Sequence, residues 1–342
     1  SSNLMSAYFH RMKSKDFKLL STYGHIEKAN VADWPVSYAE MEPYFTKVEE
    51  VIGVSGKVVH HSQQEPRSTP DFPYPPLAEN VVSQWIDEAC RKINYEDFPL
   101  PRGILSRPKD RRDSCYYSDY CGSYGCSSDA KGSSRVALLN QAVATGNCDI
   151  ITYAKVFHLK TNGRGKVINA YYQSPDKKVH SVEADIFVVA AQAIETSRLL
   201  LLSKNKEFEN GLANNNLQVG KNLLFSGGGV GAGIFHQEDF GEKAFAKLLQ
   251  PGVFVNRSIQ QWYEIKDESF GGKAKGGSID FLFEHANGIG KAIRQNWDTD
   301  GHLLYGSEYK KKLYQYFTGR KKLIFEIFND WLPVNNCFVS ID

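Results

Sequence analysis

A mixed fold, α/β plus α+β with two domain contexts interleaved along the chain, is predicted by three observations. An apolar run of strand length at residues 185–190 feeds a helical pattern over 193–203, as a buried parallel strand feeds its helix. A three-stranded meander precedes it, with Asn162-Gly163 and Pro175-Asp176 as turns. Residues 227–342 then offer strand-like runs and one clear helix, the pattern of an antiparallel sheet with helices packed on it.

The elements follow in order. Ser37 with Glu40 forms a capping box ahead of a helix over 38–52, where Met41, Tyr44, Phe45, Val48 and Ile52 recur at three- and four-residue steps and Gly53 supplies the stop. Residues 56–76, polar and dotted with proline, read as an ordered loop of the kind that borders a cleft. Helical spacing returns over 77–93 through Val81, Trp85, Ile86 and Cys90, which makes Cys90 a core residue. A helix over 133–144 carries Val136, Leu139 and Val143 on one face and ends at Gly146. The meander occupies 150–159, 167–173 and 179–183. Later strands are expected at 252–255, 260–265, 278–283 and 323–328, with a helix near 308–317.

Composition narrows the function. The 342 residues are 42% hydrophobic and 23% charged, enough for one large core or two ordinary ones. Forty-one Lys plus Arg against thirty-nine Asp plus Glu leave a formal charge of +2, too balanced overall to mark a nucleic-acid or anionic-lipid binder. No transmembrane segment is expected, because the most apolar stretch, 186–202, is broken by Glu195 and Arg198. Aromatics at 13% suit a sheet-containing enzyme or binding protein with sugar-sized clefts.

Most local motifs read blandly. The glycines of 227–233 imitate a dinucleotide fingerprint, but no helix follows, so they read as a small-residue strand. The nine histidines show no zinc spacing, and His60-His61 cannot both face one ligand in an extended chain. Neither a nucleophile elbow nor a Walker loop is present. Cys115, Cys121 and Cys126 crowd one window, readable as ligands of an iron–sulfur cluster, as a disulfide, or as inert buried thiols.

Five strings in order resemble the glucose-methanol-choline (GMC) oxidoreductases, flavoproteins that oxidise alcohols and sugars, and in particular their bacterial sugar and polyol dehydrogenase branch. Ser1-Ser2-Asn3 is similar to the end of the family's Gly-Gly-Ser-Ser flavin loop. Asp33-Trp34-Pro35-Val36-Ser37-Tyr38 with Glu42-Pro43-Tyr44-Phe45 resembles its D-W-P-[IV]-S-Y…E-P-Y-[YF] segment. The stretch from Cys121 through Cys126, Ala130, Lys131, Gly132 and Ser133 is similar to C-G-x-x-x-C-x-x-x-A-K-G-S. Val188 to Thr196 resembles the V-x-A-A-G-A-I-E-T turn with Gln192 in place of the glycine, and Val219-Gly220-Lys221-Asn222-Leu223 matches V-G-[RK]-N-L.

The resemblance implies a partial Rossmann-like FAD-binding domain interleaved with an antiparallel-sheet substrate domain. Residues 1–35 and 111–225 would belong to the former, 36–110 and 226–342 to the latter. It implies FAD held near Ser2, Asn3, Val156, Ala190 and Ala191, and hydride transfer from a CH–OH group of a sugar, polyol or other alcohol. It also implies an internal segment of a longer enzyme, with the GxGxxG before Ser1 and the catalytic His after Asp342, so no catalytic residue is named within the chain. The cluster-bearing branch is similar to C-C-x-x-x-x-C-x-x-x-C; the window here lacks the adjacent pair, so a cluster is disfavoured and no metal ligand is assigned. Implied partners are a cytochrome or a small accessory subunit, with a periplasmic or membrane-associated setting and the cytoplasm not excluded. Rival readings are a non-catalytic carbohydrate-binding module and an electron-transfer protein built on the cysteine window.

Overall fold

The computed structural model describes residues 6–122, 124–250, 252–284 and 287–341. Its first elements are α1 (Leu19–Tyr23), α2 (Tyr38–Ile52), α3 (Val81–Lys92) and strand β1 (Asp97–Pro99). A helix follows whose first part, Arg135–Leu139, is π-wound and whose remainder is α4 (Asn140–Ala144). Next come β2 (Lys155–Thr161), β3 (Val167–Gln173), β4 (Val179–Glu183) and α5 (Ala193–Leu202). Then follow β5 (Ser226–His236), α6 (Gln237–Phe240), α7 (Glu242–Leu248), β6 (Arg257–Ile259), β7 (Glu264–Ile265) and β8 (Ala274–Lys275). The described elements end with β9 (Ser278–Phe283), α8 (Gly288–Ile293), α9 (Gly306–Thr318) and β10 (Arg320–Asp330).

Two units share the chain. The larger takes Ser1–Lys18, Trp34–Thr145 and Gly227–Asn329, the smaller Leu19–Asp33, Gly146–Ser226 and Asp330–Asp342, so residues 111–145 lie with the larger. No described helix is long and apolar enough to cross a membrane.

The larger unit is built on a five-stranded sheet in the order β1-β6-β9-β10-β5. Alternation along the strands gives it two unlike faces. Ile259, Ile279, Phe281, Phe283 and Leu323 meet Val82, Ile86 and Cys90 of α3 and Phe245 and Leu248 of α7 in the main core. Cys90 sits in that core as expected, and burial pushes its thiol up to about 11. The small-residue strand is β5: a Cβ on Gly231 would stand 1.9 Å from the Phe325 ring, so the close approach of β5 to β10 requires glycine there. Residues 252–255 make no strand, and of 260–265 only Glu264–Ile265 pairs, with β8.

Helix α2 starts and stops as its caps predict, with the Ser37–Glu40 box in place and Gly53 left-handed at φ 81. Its buried face is not the one the apolar spacing predicts. Tyr44 and Val48 are exposed, whereas Tyr38, Glu42 and Glu49 are buried. The reason is electrostatic. Arg11 gives Glu49 two hydrogen bonds, at 2.7 and 2.8 Å, and Glu42 one at 3.0 Å, while Arg67 grips Glu49 from the other side. Two buried guanidinium groups turn the carboxylate face inward. In the helix over 135–144 only Val136 and Ala137 are buried, while Leu139 and Val143 are exposed, because the π-wound turns break the 3.6-residue register.

A second cation, Arg257 on β6, holds three carboxylates: Glu79 at 2.8 Å, Asp87, and Asp97 at 3.5 Å. One charge cannot balance three. Burial and then the neighbouring Asp87 push Asp97 up to about 6.

The smaller unit contains the meander β2-β3-β4, antiparallel throughout, with turns where the sequence puts them. Leu159 of β2, Leu199 of α5 and Leu212 form its core. The strand expected at 185–190 is absent. That run pairs with no strand among the described residues, so Ile186 and Val188 stand 81% and 85% exposed. Gln192 closes it at φ 74, ψ 161, a region nearly reserved for glycine, and its side chain caps α5 by accepting from Ile194 N at 2.9 Å.

Three outcomes follow in denaturation experiments. Glu49→Gln leaves two buried cations facing a neutral amide and lowers unfolding stability by about 3–5 kcal/mol. Gln192→Gly relieves the backbone and forfeits little capping, raising stability by about 1 kcal/mol, while Gln192→Ala loses the cap without relief and lowers it. Asp97 has its folded pKa raised, so its ionisation opposes folding above about pH 6 and ceases to do so below the unfolded value. Asp97→Asn therefore raises the melting temperature at pH 7.5 and leaves it unchanged near pH 3.5; an equal gain at both pH values would refute the assignment.

Candidate functional site

The sheet face opposite the main core is polar. Strand register aligns Phe98, Ser258, Asp280 and Glu326 in one row across β1, β6, β9 and β10. Ser278 and Asp280 on β9 and Ser258 and Gln260 on or beside β6 are all buried. They are covered by the segment that Arg11 ties to α2. Tyr8 packs edge-on against Phe328 at 6.1 Å, and His10 Nε2 lies 3.2 and 3.3 Å from the two Asp280 oxygens.

This layer is rich in polar groups and short of partners. Gln260 Nε2 donates to Ser278 Oγ at 2.8 Å and lies 3.5 Å from His10 Nδ1. One tautomer, with Nε2–H toward Asp280 and Nδ1 toward the Gln260 amide, satisfies both histidine contacts. Ser258 Oγ and Gln260 Oε1 are buried with no hydrogen-bond partner. Asp280 and Glu326 stand directly opposite each other, and burial, then Asp280, pushes Glu326 up. Burial also raises Tyr8 to about 12, against the pull of Arg102. Arg102 lies over the rings of Tyr8 (4.6 Å) and Phe254 (4.7 Å) and donates to Asn256 Oδ1 at 2.5 Å.

Of the two adjacent histidines, His61 is the buried one. It stacks on Phe98 with ring centroids 4.2 Å apart, and burial followed by Lys13 lowers it to about 4, so it is a neutral packing group at physiological pH. A cavity of about 50 Å³ opens beside Tyr8, Arg102 and Cys121, and one of about 30 Å³ beside His10, His61, Lys13 and Glu65. Each has room for one or two waters next to unsatisfied polar groups.

In the cysteine window all three thiols are free. Cys115 and Cys121 share a hydrogen bond that draws Cys121 down to about 7, helped by Arg102 and Lys131, and drives Cys115 up. Lys131 Nζ donates to the carbonyls of Cys121 (2.5 Å) and Tyr124 (2.8 Å), while Cys126 packs beside Ile104, Leu105 and Ala130. The three sulfurs do not gather within 4.8 Å of one another, the spacing that a single shared metal ion would need.

Of the residues tied to FAD by resemblance, Ser2 and Asn3 lie outside the described residues. Val156 is the second residue of β2, an outer strand of the meander, and Ala190 and Ala191 are exposed in the run before α5. β2 and α5 share one core, so these residues sit on neighbouring elements of one unit. Their side chains are small and uncovered, and the Ala191 amide donates to Thr196 Oγ1 at 3.1 Å. His10, Gln260, Asp280 and Glu326 were not singled out from sequence. The alternation Ser278, Asp280, Leu282 against Ile279, Phe281, Phe283 signals a two-faced strand, but only the register reveals that polar groups from four strands meet.

Comparison with known proteins bears on about three-fifths of the chain. It is 31% identical over 220 residues to the fructose dehydrogenase large subunit of Gluconobacter japonicus, covering 63% of this chain and 38% of that protein. It is 30% identical over 223 residues to 2-methyl-1,2-propanediol dehydrogenase of Mycolicibacterium austroafricanum, covering 64% and 38%. The gluconate 2-dehydrogenase flavoprotein of Pantoea cypripedii is 24% identical over 216 residues, covering 58% and 35%. The chain thus spans less than two-fifths of the length of these relatives. The family model for GMC oxidoreductase matches residues 76–225, and over this stretch the chain is similar to the GMC oxidoreductases.

Proposed function

We propose that this protein is an FAD-dependent oxidoreductase acting on a CH–OH group of a sugar, polyol or other alcohol. In this reading the polar sheet of the larger unit serves the substrate, and the smaller unit contributes to a Rossmann-like flavin-binding domain. The observation that carries it is the buried polar layer around His10 and Asp280, in a chain whose relatives are named for fructose, a propanediol and gluconate.

Ala190, Ala191 and Val156 would hold the cofactor through backbone contacts, and Ile186 and Val188 would be covered by neighbouring strands of the same sheet. When bound, FAD supplies the acceptor for the hydride leaving the alcohol carbon. The chain's own contribution is orientation. Asp280 fixes the His10 ring, Gln260 and Ser278 fix each other, and water-sized cavities at either end offer exchangeable hydrogen-bond sites for hydroxyl groups. Arg102, engaged with two rings and Asn256, holds the Tyr8 end of the layer. An accessory subunit as partner is supported by the "large subunit" in one relative's name.

The native protein, purified from its own cells with whatever sequence adjoins this chain, is expected to show flavin absorbance that bleaches anaerobically with at least one member of a panel of sugars and polyols. Absence of flavin, or flavin that no alcohol reduces, ends this reading. Asp280→Ala removes the contact that orients His10 and is expected to raise the substrate KM at least tenfold while flavin content stays unchanged.

A further inference from the structure

Strands β9 and β10 are antiparallel neighbours, yet the chain travels from Phe283 to Arg320 between them, where a few residues would suffice. The described part of this excursion holds α8 and α9, and neither helix contains a buried residue. Their apolar side chains face solvent instead. Ile289 and Ile293, one turn apart on α8, are exposed, as are Tyr305 and Tyr314. Trp297 and Leu303, bridge partners in a small hairpin, are exposed on its same side.

Charge is as uneven as burial. Between Tyr305 and Lys322 six basic residues stand against the single acidic Glu308, so the chain's net positive charge is concentrated in this stretch. Beside it lies a cavity of about 280 Å³, walled by Gly288 and Lys291 of α8, Phe317 of α9, and Arg320, Lys321 and Lys322 of β10. Its carboxylates are Glu284 and Asp119. Glu284 is taken by Lys291 at 3.5 Å and Lys322 at 3.9 Å. Arg320 lies over Tyr316 and Lys321 over Phe283, and neither has a carboxylate within ion-pair distance among the described residues. Asp298, at the hairpin, is occupied by the backbone amides of Asp300 and His302 and by the His302 ring.

We propose that this excursion docks the protein on an anionic lipid bilayer. Ile289 and Ile293 enter the headgroup layer, and Arg320 and Lys321 receive a lipid phosphate in the cavity. Exposed Ile, Trp and Tyr interspersed with cations match the bilayer interface, where aromatic rings settle at headgroup depth and basic residues reach anionic lipids. An acidic protein would satisfy the cations but leave these separate apolar prominences uncovered.

The test is flotation of the full chain with vesicles of phosphatidylcholine alone or with about one-third phosphatidylglycerol. Binding is expected to the anionic vesicles only and to fall at least tenfold in 0.5 M salt, where the Debye length is roughly 4 Å. Arg320→Gln with Lys321→Gln is expected to weaken it at least tenfold at low salt. Ile289→Ser with Ile293→Ser should weaken it at every salt concentration, with unchanged melting of both variants. Brominated acyl chains should quench tryptophan fluorescence in the wild type and less in Trp297→Phe. Failure to bind anionic vesicles overturns the proposal. So does binding indifferent to the isoleucine pair, or matched by soluble heparin or glycerol phosphate, since these assign the patch to a soluble polyanion or an acidic protein.

Discussion

The ion cluster of Arg11, Glu49 and Arg67 is the constraint on which the larger unit's organisation rests. Arg11 is three residues from Tyr8 and one from His10, so the hydrogen bonds that fix its guanidinium to Glu49 and Glu42 also decide which side chains lie over the sheet. A buried carboxylate between two guanidinium groups adds little net stability over an apolar replacement, but breaking it is costly, which makes it a device of specificity. Here it specifies register. Burial of Glu42 and Glu49 turns α2 so that its polar stripe faces inward, and Ser68 N, the main influence holding Glu42 down to about 2, ties the loop after residue 56 into the same cluster.

That cluster also marks the limit of what the amino-acid order revealed. Elements whose signal is local were legible: the capping box at Ser37, the left-handed Gly53, the core role of Cys90, the meander turns and the small-residue strand β5. Each depends on residues a few positions apart. The inward face of α2 was not legible, because its apolar period at Met41, Tyr44 and Val48 is genuine, and only partners 38 and 18 residues from Glu49 override it. The polar layer failed to announce itself for the same reason. Serine, glutamine and aspartate at alternate strand positions look like a solvated face until the sheet order shows something lying on them.

In the smaller unit the apolar pattern at 185–190 was read correctly as pattern and yet forms no strand. A strand needs a ladder partner, and none is present among the described residues. Gln192 fits the same account. It keeps a backbone conformation suited to glycine, the residue found at this turn in the sequences it resembles, and holds it through the cap it gives α5.

The polar layer is best understood by asking what a sheet selected for stability alone would place there. Asp280 and Glu326 directly opposite each other repel, the hydroxyl of Ser258 and the carbonyl of Gln260 are desolvated without compensation, and Tyr8 is held where its phenol resists ionisation. Apolar residues at these positions would pack against Phe98 and Phe328 and remove every one of these costs. The opposite face of the same strands shows that this chain can build such packing, since Ile279, Phe281 and Phe283 do so against α3 and α7. Two faces of one sheet thus differ on β9, with Ser278 and Asp280 beside Leu282 on one and Ile279, Phe281 and Phe283 on the other. Under the proposed function, polar groups retained at the expense of stability, clustered around an oriented imidazole and bordered by water-sized cavities, would serve to exchange hydrogen bonds with a hydroxyl-bearing ligand.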